Sequence, residues 1–545
     1  MKHLIEKTRR LAAAGLKRGS LRWVGVACVA MVSAASVGAA DMPVRGGTLV
    51  FPVHMGEPAT YDCHAGFQNL VFRVAPHYST LVRLDADRYP QVEADLARSW
   101  KVSADGLRYE FSLNPGVKFH DGSAFTSADV KASLERLSNP PAGVVSVRRA
   151  MFEDIKSVET PDPLTAVVNL KSPNVALLQQ LGTPYACIYS SRLLASDPSY
   201  PVKKVMGTGP FRFVSHTAGQ DWIGQRFEGY FKPGMPYLDG YRALNTTQPG
   251  ALNALLAGQV HYTMQGQTPG DVERLRTSRG DKLNFVGGES ATGLHILIGV
   301  NTQRGALTDV RVRRALLLAM DRYAGSKAMA NLTAVHLPGG FSRPGSAFAR
   351  SPKELEALPG FSRDIAASRQ EARRLLAEAG HSKLKIVFVN RPQSTYWGVF
   401  LADQMRQIGV TVDHQVSDNV NGRKVSGDYD LIVEATPEYL DDPIVQWSNF
   451  LSYDKNPANV SRSNDPKLDE LYNAQKREQD PEKRRVRVQE MEKYMIDQAY
   501  FLPMFWQSWR RGIAVELGGV GNMPSNFLNV DLSRYWLRSG DKSTN

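Results

Sequence analysis

Cysteine is scarce in this 545-residue sequence, which contains three cysteines. Two of them, Cys63 and Cys187, are 124 positions apart, and the sequence leaves open whether they form a disulfide. Long apolar runs are also missing after residue 40, where no stretch approaches the roughly 18–20 residues that a membrane-spanning helix needs. We therefore expect a large hydrophobic core to supply most of the stability, which the 42% hydrophobic content permits.

Motifs for catalysis and for cofactors are missing as well. The dipeptide Gly-Lys never occurs, which excludes a P-loop, and there is no Gly-x-Ser-x-Gly elbow. The 11 histidines include no His-x-x-x-His pair. Ser417-Asp418-Asn419 matches one element of penicillin-recognising enzymes, but no Lys-Thr-Gly follows it. The sequence thus predicts neither an enzyme nor a metal or cofactor site.

The positive charge of the chain is concentrated at its amino terminus. The net charge is +12, and the first 40 residues hold seven Lys or Arg and one Glu, so half of that excess lies there. The other 505 residues carry +6, without a basic run that contains interleaved aromatics. Nucleic acid is therefore disfavoured as a partner.

Residues 1–40 have the pattern of a secretory signal peptide. A basic segment over 1–22 precedes the apolar segment 23–37, and small residues follow up to Ala40. We expect cleavage near Ala40 and export to the periplasm. Either the general secretory route or the twin-arginine route is compatible with Arg9-Arg10. An exported location would also allow a disulfide to persist.

Strand and helix patterns alternate along the rest of the chain, which predicts an α/β protein. Alternation over 109–113, a Pro-Gly turn and the apolar 117–119 predict a hairpin. Thr126 and Asp129 form a capping box before a helix that extends to about Leu137. Gly380 is predicted to end a helix over 366–379, and Asp480-Pro481 to begin one that reaches about 499. A strand–helix–strand pattern over 386–412 and a strand at 429–433 favour a parallel sheet.

Several blocks in order resemble the extracytoplasmic solute-binding proteins of ABC importers, in the peptide- and nickel-binding group called solute-binding family 5. The main one covers 78–137, with LARSW, DGLRYEF and GVKFHDG followed by the capped helix. Gly207-Thr208-Gly209-Pro210-Phe211, residues 300–322 and the helix before Gly380 resemble further family segments. Together with the carboxy-terminal helices, these blocks cover nearly the whole chain after residue 40.

The resemblance implies the type II periplasmic-binding-protein fold, with two lobes, a hinge and an extra α/β domain. The predicted first lobe is discontinuous and combines 41–77, 205–290 and 500–545. Residues 78–204 form the extra domain, and 291–499 form the second lobe. Closure of the lobes around a solute is a population shift that ligand contacts with both lobes would drive.

The resemblance also suggests ligand contacts. They are His54, Met55 and Glu57 after the first strand, and Arg391, which would hold a ligand carboxylate. Tyr396 and Trp397 would form an aromatic wall. The acidic edge would comprise Glu438, Tyr439, Asp441 and Asp442, with Trp447 covering it. Alternatives remain open, since Trp397 and Trp447 can be core aromatics, Arg391 a surface ion pair and Asp442-Pro443 a turn.

The predicted function is substrate binding for an ABC transporter, with import of a peptide or peptide-like solute. The partners would be that solute and a permease of the cytoplasmic membrane, and the protein would act as a monomer without a cofactor. In peptide binders of the family, this segment resembles Gly-Trp-x-x-Asp, and the Asp holds the peptide amino group. Here EATPEYLDDP lacks the Trp, and either Glu438 or Asp441 could stand for the Asp. Opines, oligosaccharides and chelated nickel therefore remain alternative solutes, and a periplasmic chaperone or receptor an alternative role.

Overall fold

The computed structural model describes residues 42–54, 56–66, 68–264, 266–333, 335–437, 440–521, 525, 528 and 530–538. The predicted signal peptide lies outside the described residues. Helices and strands alternate over the described part, so the predicted α/β class is confirmed. Three sheets organise it, and each packs against its own hydrophobic core.

Eighteen strands occur within the described residues. They are β1 (Thr48–Val53), β2 (Val82–Leu84), β3 (Val92–Ala94), β4 (Ala97–Val102), β5 (Arg108–Leu113), β6 (Ile155–Asp162), β7 (Thr165–Leu170), β8 (Phe211–Thr217), β9 (Asp221–Arg226), β10 (Gly240–Asn245), β11 (Leu283–Val300), β12 (Val335–Leu337), β13 (Leu384–Asn390), β14 (Val410–Val416), β15 (Leu431–Pro437), β16 (Phe501–Ala514), β17 (Leu517–Gly518) and β18 (Trp536–Leu537).

Fifteen α-helices occur in the same part of the chain. They are α1 (Gln68–Val74), α2 (Ser127–Ser138), α3 (Leu177–Leu181), α4 (Ser191–Ser196), α5 (Gln248–Ala257), α6 (Pro269–Arg279), α7 (Val310–Ala319), α8 (Arg322–Thr333), α9 (Pro352–Glu356), α10 (Ile365–Glu378), α11 (Thr395–Arg406), α12 (Val420–Ser426), α13 (Pro443–Gln446), α14 (Pro466–Arg477) and α15 (Pro481–Gln498).

The first sheet has the strand order β1-β10-β9-β8. Its β1 and β10 are parallel, and the other pairs are antiparallel. Aromatic side chains fill the core on one face, including Phe51, Trp222, Tyr241 and Tyr262. The Gly207–Pro210 segment passes so close to this core that a Cβ on Gly209 would lie 2.4 Å from the carbonyl carbon of His77. Glycine at 209 is thus required by a close backbone approach.

The second sheet has the order β4-β5-β7-β6 and corrects one prediction. We expected β5 to form a hairpin with 117–119. Both edges of β5 are instead occupied, by β4 on one side and β7 on the other, so no edge remains for that segment. Residues 117–119 form a loop with one isolated bridge between Lys118 and Ala124. The predicted capping box at Thr126 and Asp129 is present at the start of α2.

The third sheet has six strands in the order β12-β16-β11-β15-β13-β14. Strands β13, β14 and β15 are parallel, which confirms the predicted parallel arrangement. Helix α10 ends before Gly380, whose φ of 77° is the expected left-handed value. Helix α15 begins at Pro481, and Asp480 accepts a hydrogen bond from the Lys483 N–H, so both predicted helix ends are confirmed.

Two long antiparallel strands, β11 and β16, connect the parts of the chain. Their pairing continues from Leu283 with Ala514 to Gly299 with Phe501. One end contacts the residues around Tyr262 and Gln267, through bridges to Ile513 and Arg510. At the other end, residues 294–300 of β11 pair with β15, next to the parallel strands of the third sheet. The register is irregular between Gly288 and Leu294, midway along the pair.

Cys63 and Cys187 form a disulfide, which answers the question that the sequence left open. Beside it, the buried Asp62 pairs with Arg136 at 2.5 Å and accepts a hydrogen bond from the Tyr189 hydroxyl at 2.9 Å. Burial lowers the pKa of the neighbouring His64 to about 4, so this imidazole is neutral at physiological pH. These contacts connect the segment after β1 to the segment before α4.

The helices within the described residues are too short or too polar to span a lipid bilayer.

Candidate functional site

The carboxyl ends of β13, β14 and β15 meet at one edge of the third sheet because these strands are parallel. Arg391 follows the last residue of β13 directly and is half-buried. Its Nη2 donates a hydrogen bond to Asn421 Oδ1 at 2.8 Å, and its backbone N–H donates to Asn390 Oδ1 at 2.8 Å. Arg391 forms no ion pair with the described residues, so its guanidinium keeps capacity for a carboxylate.

The acidic residues after β15 already have cationic partners. Arg343 Nη2 lies 2.5 Å from Asp441 Oδ2. Arg484 donates to both carboxylate oxygens of Asp442 at 2.7 Å, and Asp442 also caps α13 through the Ile444 N–H. These carboxylates are therefore engaged within the protein. Met55, Glu438 and Tyr439 lie outside the described residues.

The tryptophans that we expected near the solute lie in the core of the third sheet. Trp397 is 2% exposed and stacks on Phe505, with ring centroids 5.6 Å apart. Trp447 is 1% exposed and contacts the ring of Phe341. Tyr396 is half-buried and lies against Trp397 at 5.0 Å. Of these three aromatics, Tyr396 has the most accessible ring for a ligand.

A second group of polar residues lies where β1 ends. His54 follows β1 and borders a cavity of about 300 Å³ whose polar lining residues are His54, Gln248, Thr263, Gln267, Asp271 and Arg274. Gln267 Oε1 accepts a hydrogen bond from the Gly512 N–H at 2.8 Å, which fixes one wall of the cavity to β16. Another wall contains Gly266, which packs directly on Trp509. The cavity can accept and donate hydrogen bonds to a small polar solute.

Glu57 lies after β1 but points to the β8–β9 turn. Its carboxylate is 2.9 Å from His216 Nε2 and accepts a hydrogen bond from the Gly219 N–H at 2.8 Å. Burial alone would raise the pKa of Glu57, but these two partners lower it below its ordinary value. The ionised carboxylate thereby anchors the segment after β1 on the first sheet.

The segment after β15 also touches the part of the chain that contains the second sheet. Tyr89 accepts a hydrogen bond at its hydroxyl from the Asp441 N–H. Leu440 and Val445 form an apolar cluster with Leu84. Nearby, Lys476 Nζ lies 2.6 Å from Asp154 Oδ2, and both side chains are buried. These contacts hold the acidic edge of the third sheet in place.

Arg511, a buried arginine in β16, was not predicted as a site residue from the sequence. A signal was present, since Arg510-Arg511 interrupts a segment, 501–514, that is otherwise almost free of charge. The polar lining of the cavity next to His54 was also overlooked, because 248, 263 and 267 come from separate loops and helices.

Solved structures with the same fold define the class of protein. The chain matches AgaA from Agrobacterium tumefaciens R10, solved with agropinic acid, with a TM-score of 0.75 and 23% identity over 90% of this chain and 99% of that one. It matches DppA from Helicobacter pylori, solved with the peptide STSA, with a TM-score of 0.76 and 21% identity over 91% and 99%. The fold is the two-lobed, type II periplasmic-binding-protein fold, as predicted.

Sequence comparison then gives the family. The family described as bacterial extracellular solute-binding proteins, family 5 middle, matches residues 91–458, and the chain belongs to this family. A glutathione-binding protein of Pectobacterium atrosepticum is 35% identical over 42% of this chain and 43% of its own length. A putative ABC transporter peptide-binding protein of Brucella ovis is 28% identical over 62% of each chain. The alignments thus span less than two thirds of these curated relatives.

Proposed function

We propose that this protein is the substrate-binding component of an ABC importer and captures a peptide or a peptide-like solute between its lobes. The match of the family over residues 91–458 is the observation that carries the proposal. The first and second sheets would belong to one lobe and its extra domain, and the third sheet to the other lobe. A permease in the cytoplasmic membrane would receive the solute, and the protein would act as a monomer in the periplasm after removal of residues 1–40.

The arrangement of the long strands supports capture by closure. Strands β11 and β16 run from the Tyr262 region into the third sheet, and their register is irregular midway, between Gly288 and Leu294. Hinges are formed by a few residues that absorb changes in φ and ψ. Bending there would bring the edge with Arg391 and the cavity next to His54 together around a solute. No bond of the solute needs to be made or broken, so we propose binding without catalysis.

The charges at the third-sheet edge bear on the solute class. A carboxylate suits the Arg391 guanidinium, which can hold it through two hydrogen bonds. A solute amino group would need a free carboxylate, and the two acidic residues of this edge that the structure describes, Asp441 and Asp442, are paired with Arg343 and Arg484. We therefore favour solutes whose carboxylate is the main charged anchor. Glutathione, short peptides and opines all carry one.

Calorimetry on the purified exported chain tests the proposal. The panel comprises glutathione, Ala-Phe, Ala-Ala-Ala and agropinic acid, each also offered with its carboxylates amidated, and the two peptides also N-acetylated. We expect saturable binding of at least one acid, a large loss on amidation and a small loss on N-acetylation. Absence of saturable binding, combined with suppression of aggregation of an unfolded client protein, would favour the chaperone alternative and overturn the proposal.

A further inference from the structure

Arg511 is buried in β16 close to the irregular middle of the long strand pair. It is 1% exposed and pairs across the ladder with Val286. Its guanidinium lies over the ring of Trp509, with Cζ 4.5 Å from the ring centroid. Trp509 in turn packs on Gly266, in the wall of the cavity next to His54. Arg511 is therefore one side chain away from that cavity.

Among the buried arginines of the described chain, Arg511 has two guanidinium nitrogens without a hydrogen-bond partner, whereas Arg322 and Arg343 have one each. Arg322 donates to the carbonyl oxygens of Pro503 and Leu317, at 2.7 and 3.2 Å. Arg136 pairs with Asp62. For Arg511, neither Nε nor Nη2 has a hydrogen-bond partner within the described residues. Buried donors without a partner are costly, so two such nitrogens on one guanidinium point to an acceptor that binds there.

A second buried polar group lacks a partner next to Arg511. The Tyr262 hydroxyl is buried and has no hydrogen-bond acceptor or donor among the described residues. Tyr262 pairs with Ile513, two residues beyond Arg511 on the same strand, so both side chains face the same core. Its ring also contacts Phe51 of β1, at 5.6 Å between centroids. Three donor groups without a partner, on two side chains, thus lie next to β16 on the side of the first-sheet core.

We propose that Arg511 and Tyr262 form an anion-binding site beside the cavity next to His54, and that the site takes a carboxylate of the solute. This inference rests on the proposed function and adds a binding residue in the first lobe. The guanidinium would donate two hydrogen bonds to the carboxylate and the phenol a third. With Arg391 on the other lobe, the protein would suit a solute that has two carboxylates, one held by each lobe.

The test combines crystallography with a small anion and calorimetry with Ala-Ala-Ala and glutathione. Crystals of the wild type, Arg511→Met and Arg510→Met are grown with sodium bromide, and an anomalous peak is sought between Arg511 and Tyr262. Arg510 is the matched control because it is the adjacent residue of the same charge and is exposed. The same proteins are titrated with both solutes and with their amides. Urea unfolding checks that Arg511→Met folds, and Arg511→Lys retains the charge as a second variant.

We expect the bromide peak in the wild type and in Arg510→Met and its absence in Arg511→Met. We also expect Arg511→Met to weaken the acids about 10- to 100-fold, the range for hydrogen bonds to charged groups, with no effect on amides. Arg511→Lys should retain part of the affinity. Unchanged affinity for the acids overturns the assignment to the solute, even with a bromide peak. If neither solute binds the wild type, the proposed function fails for these solutes, and the bromide peak alone decides whether the anion site exists.

Discussion

Arg484 and Asp442 form a buried bidentate ion pair at the edge where we expected solute contacts, with both Nη–Oδ distances at 2.7 Å. The same carboxylate caps α13 through the Ile444 N–H at 2.8 Å. The pair thus joins α15 to the segment after β15. The ion pair gives Asp442 a structural role, because a solute that binds Asp442 would have to compete with Arg484, which is already desolvated.

We expect Asp442→Asn to lower the free energy of unfolding by about 3 kcal/mol, because the variant leaves Arg484 buried without a charged partner. Urea unfolding measures this. Asp403→Asn removes one member of the exposed pair with Arg406 and should change stability little. Unchanged stability of Asp442→Asn together with weaker solute binding would instead assign Asp442 to the ligand.

Arg391→Ala should weaken binding of a carboxylate-bearing solute by about 1.5–3 kcal/mol, because it removes a charged hydrogen-bond donor. Calorimetry with the best solute of the panel measures this. Arg374→Ala is the control, since Arg374 pairs with Glu371 and Glu378 along the exposed face of α10. Equal affinity of Arg391→Ala and the wild type would remove Arg391 from the site.

The disulfide between Cys63 and Cys187 should stabilise the protein by about 2–5 kcal/mol, because it closes a long loop in the unfolded chain. Urea unfolding of the Cys63→Ala, Cys187→Ala double variant measures the loss. The wild type in reductant should unfold at the same urea concentration as this variant. A double variant as stable as the oxidised wild type would contradict the expectation.

The free energy of unfolding should decrease as the pH decreases, because histidines are buried in the neutral form. Burial lowers the pKa of His295 to about 3, whereas an unfolded histidine titrates near 6.5. The unfolded state therefore binds more protons in this interval, and the stabilisation that is present above about pH 6.5 is lost progressively as the pH falls towards 3.

His295→Phe should weaken this pH dependence and retain the stacking on Trp506, whose ring is 4.4 Å away. At about pH 5 the slope of unfolding free energy against pH should decrease by roughly 1.4 kcal/mol per unit, the value for one proton. Urea unfolding between pH 5 and 7.5 measures the slope, with half-buried His381→Phe as control. An unchanged slope would show that His295 does not take up a proton on unfolding.

Local signals in the sequence were sufficient for much of the secondary structure. The capping box at Thr126, the helix start at Asp480-Pro481 and the stop at Gly380 depend on neighbouring residues alone, and all three are confirmed. The prediction of a hairpin at 109–119 was wrong because β5 pairs with β4, which precedes it, and with β7, which comes from a distant segment. Local alternation within a strand does not encode which partner the strand takes.

The candidate site was harder to predict for the same reason. The pairing of Asp441 with Arg343 joins residues 98 positions apart. The sequence pattern indicated Asp441 as a candidate but not its partner Arg343. Arg511 was visible as a charge in an apolar strand, but only the packing around it shows that its Nε and Nη2 have no hydrogen-bond partner among the described residues. Which residues contact the solute stays a prediction.

Closure around a solute is tested most directly by small-angle X-ray scattering of the purified protein, with and without a saturating amount of the panel solute that binds. We predict a smaller radius of gyration with the solute, because contacts with both lobes favour the closed state. An unchanged radius of gyration at full occupancy would contradict capture by closure.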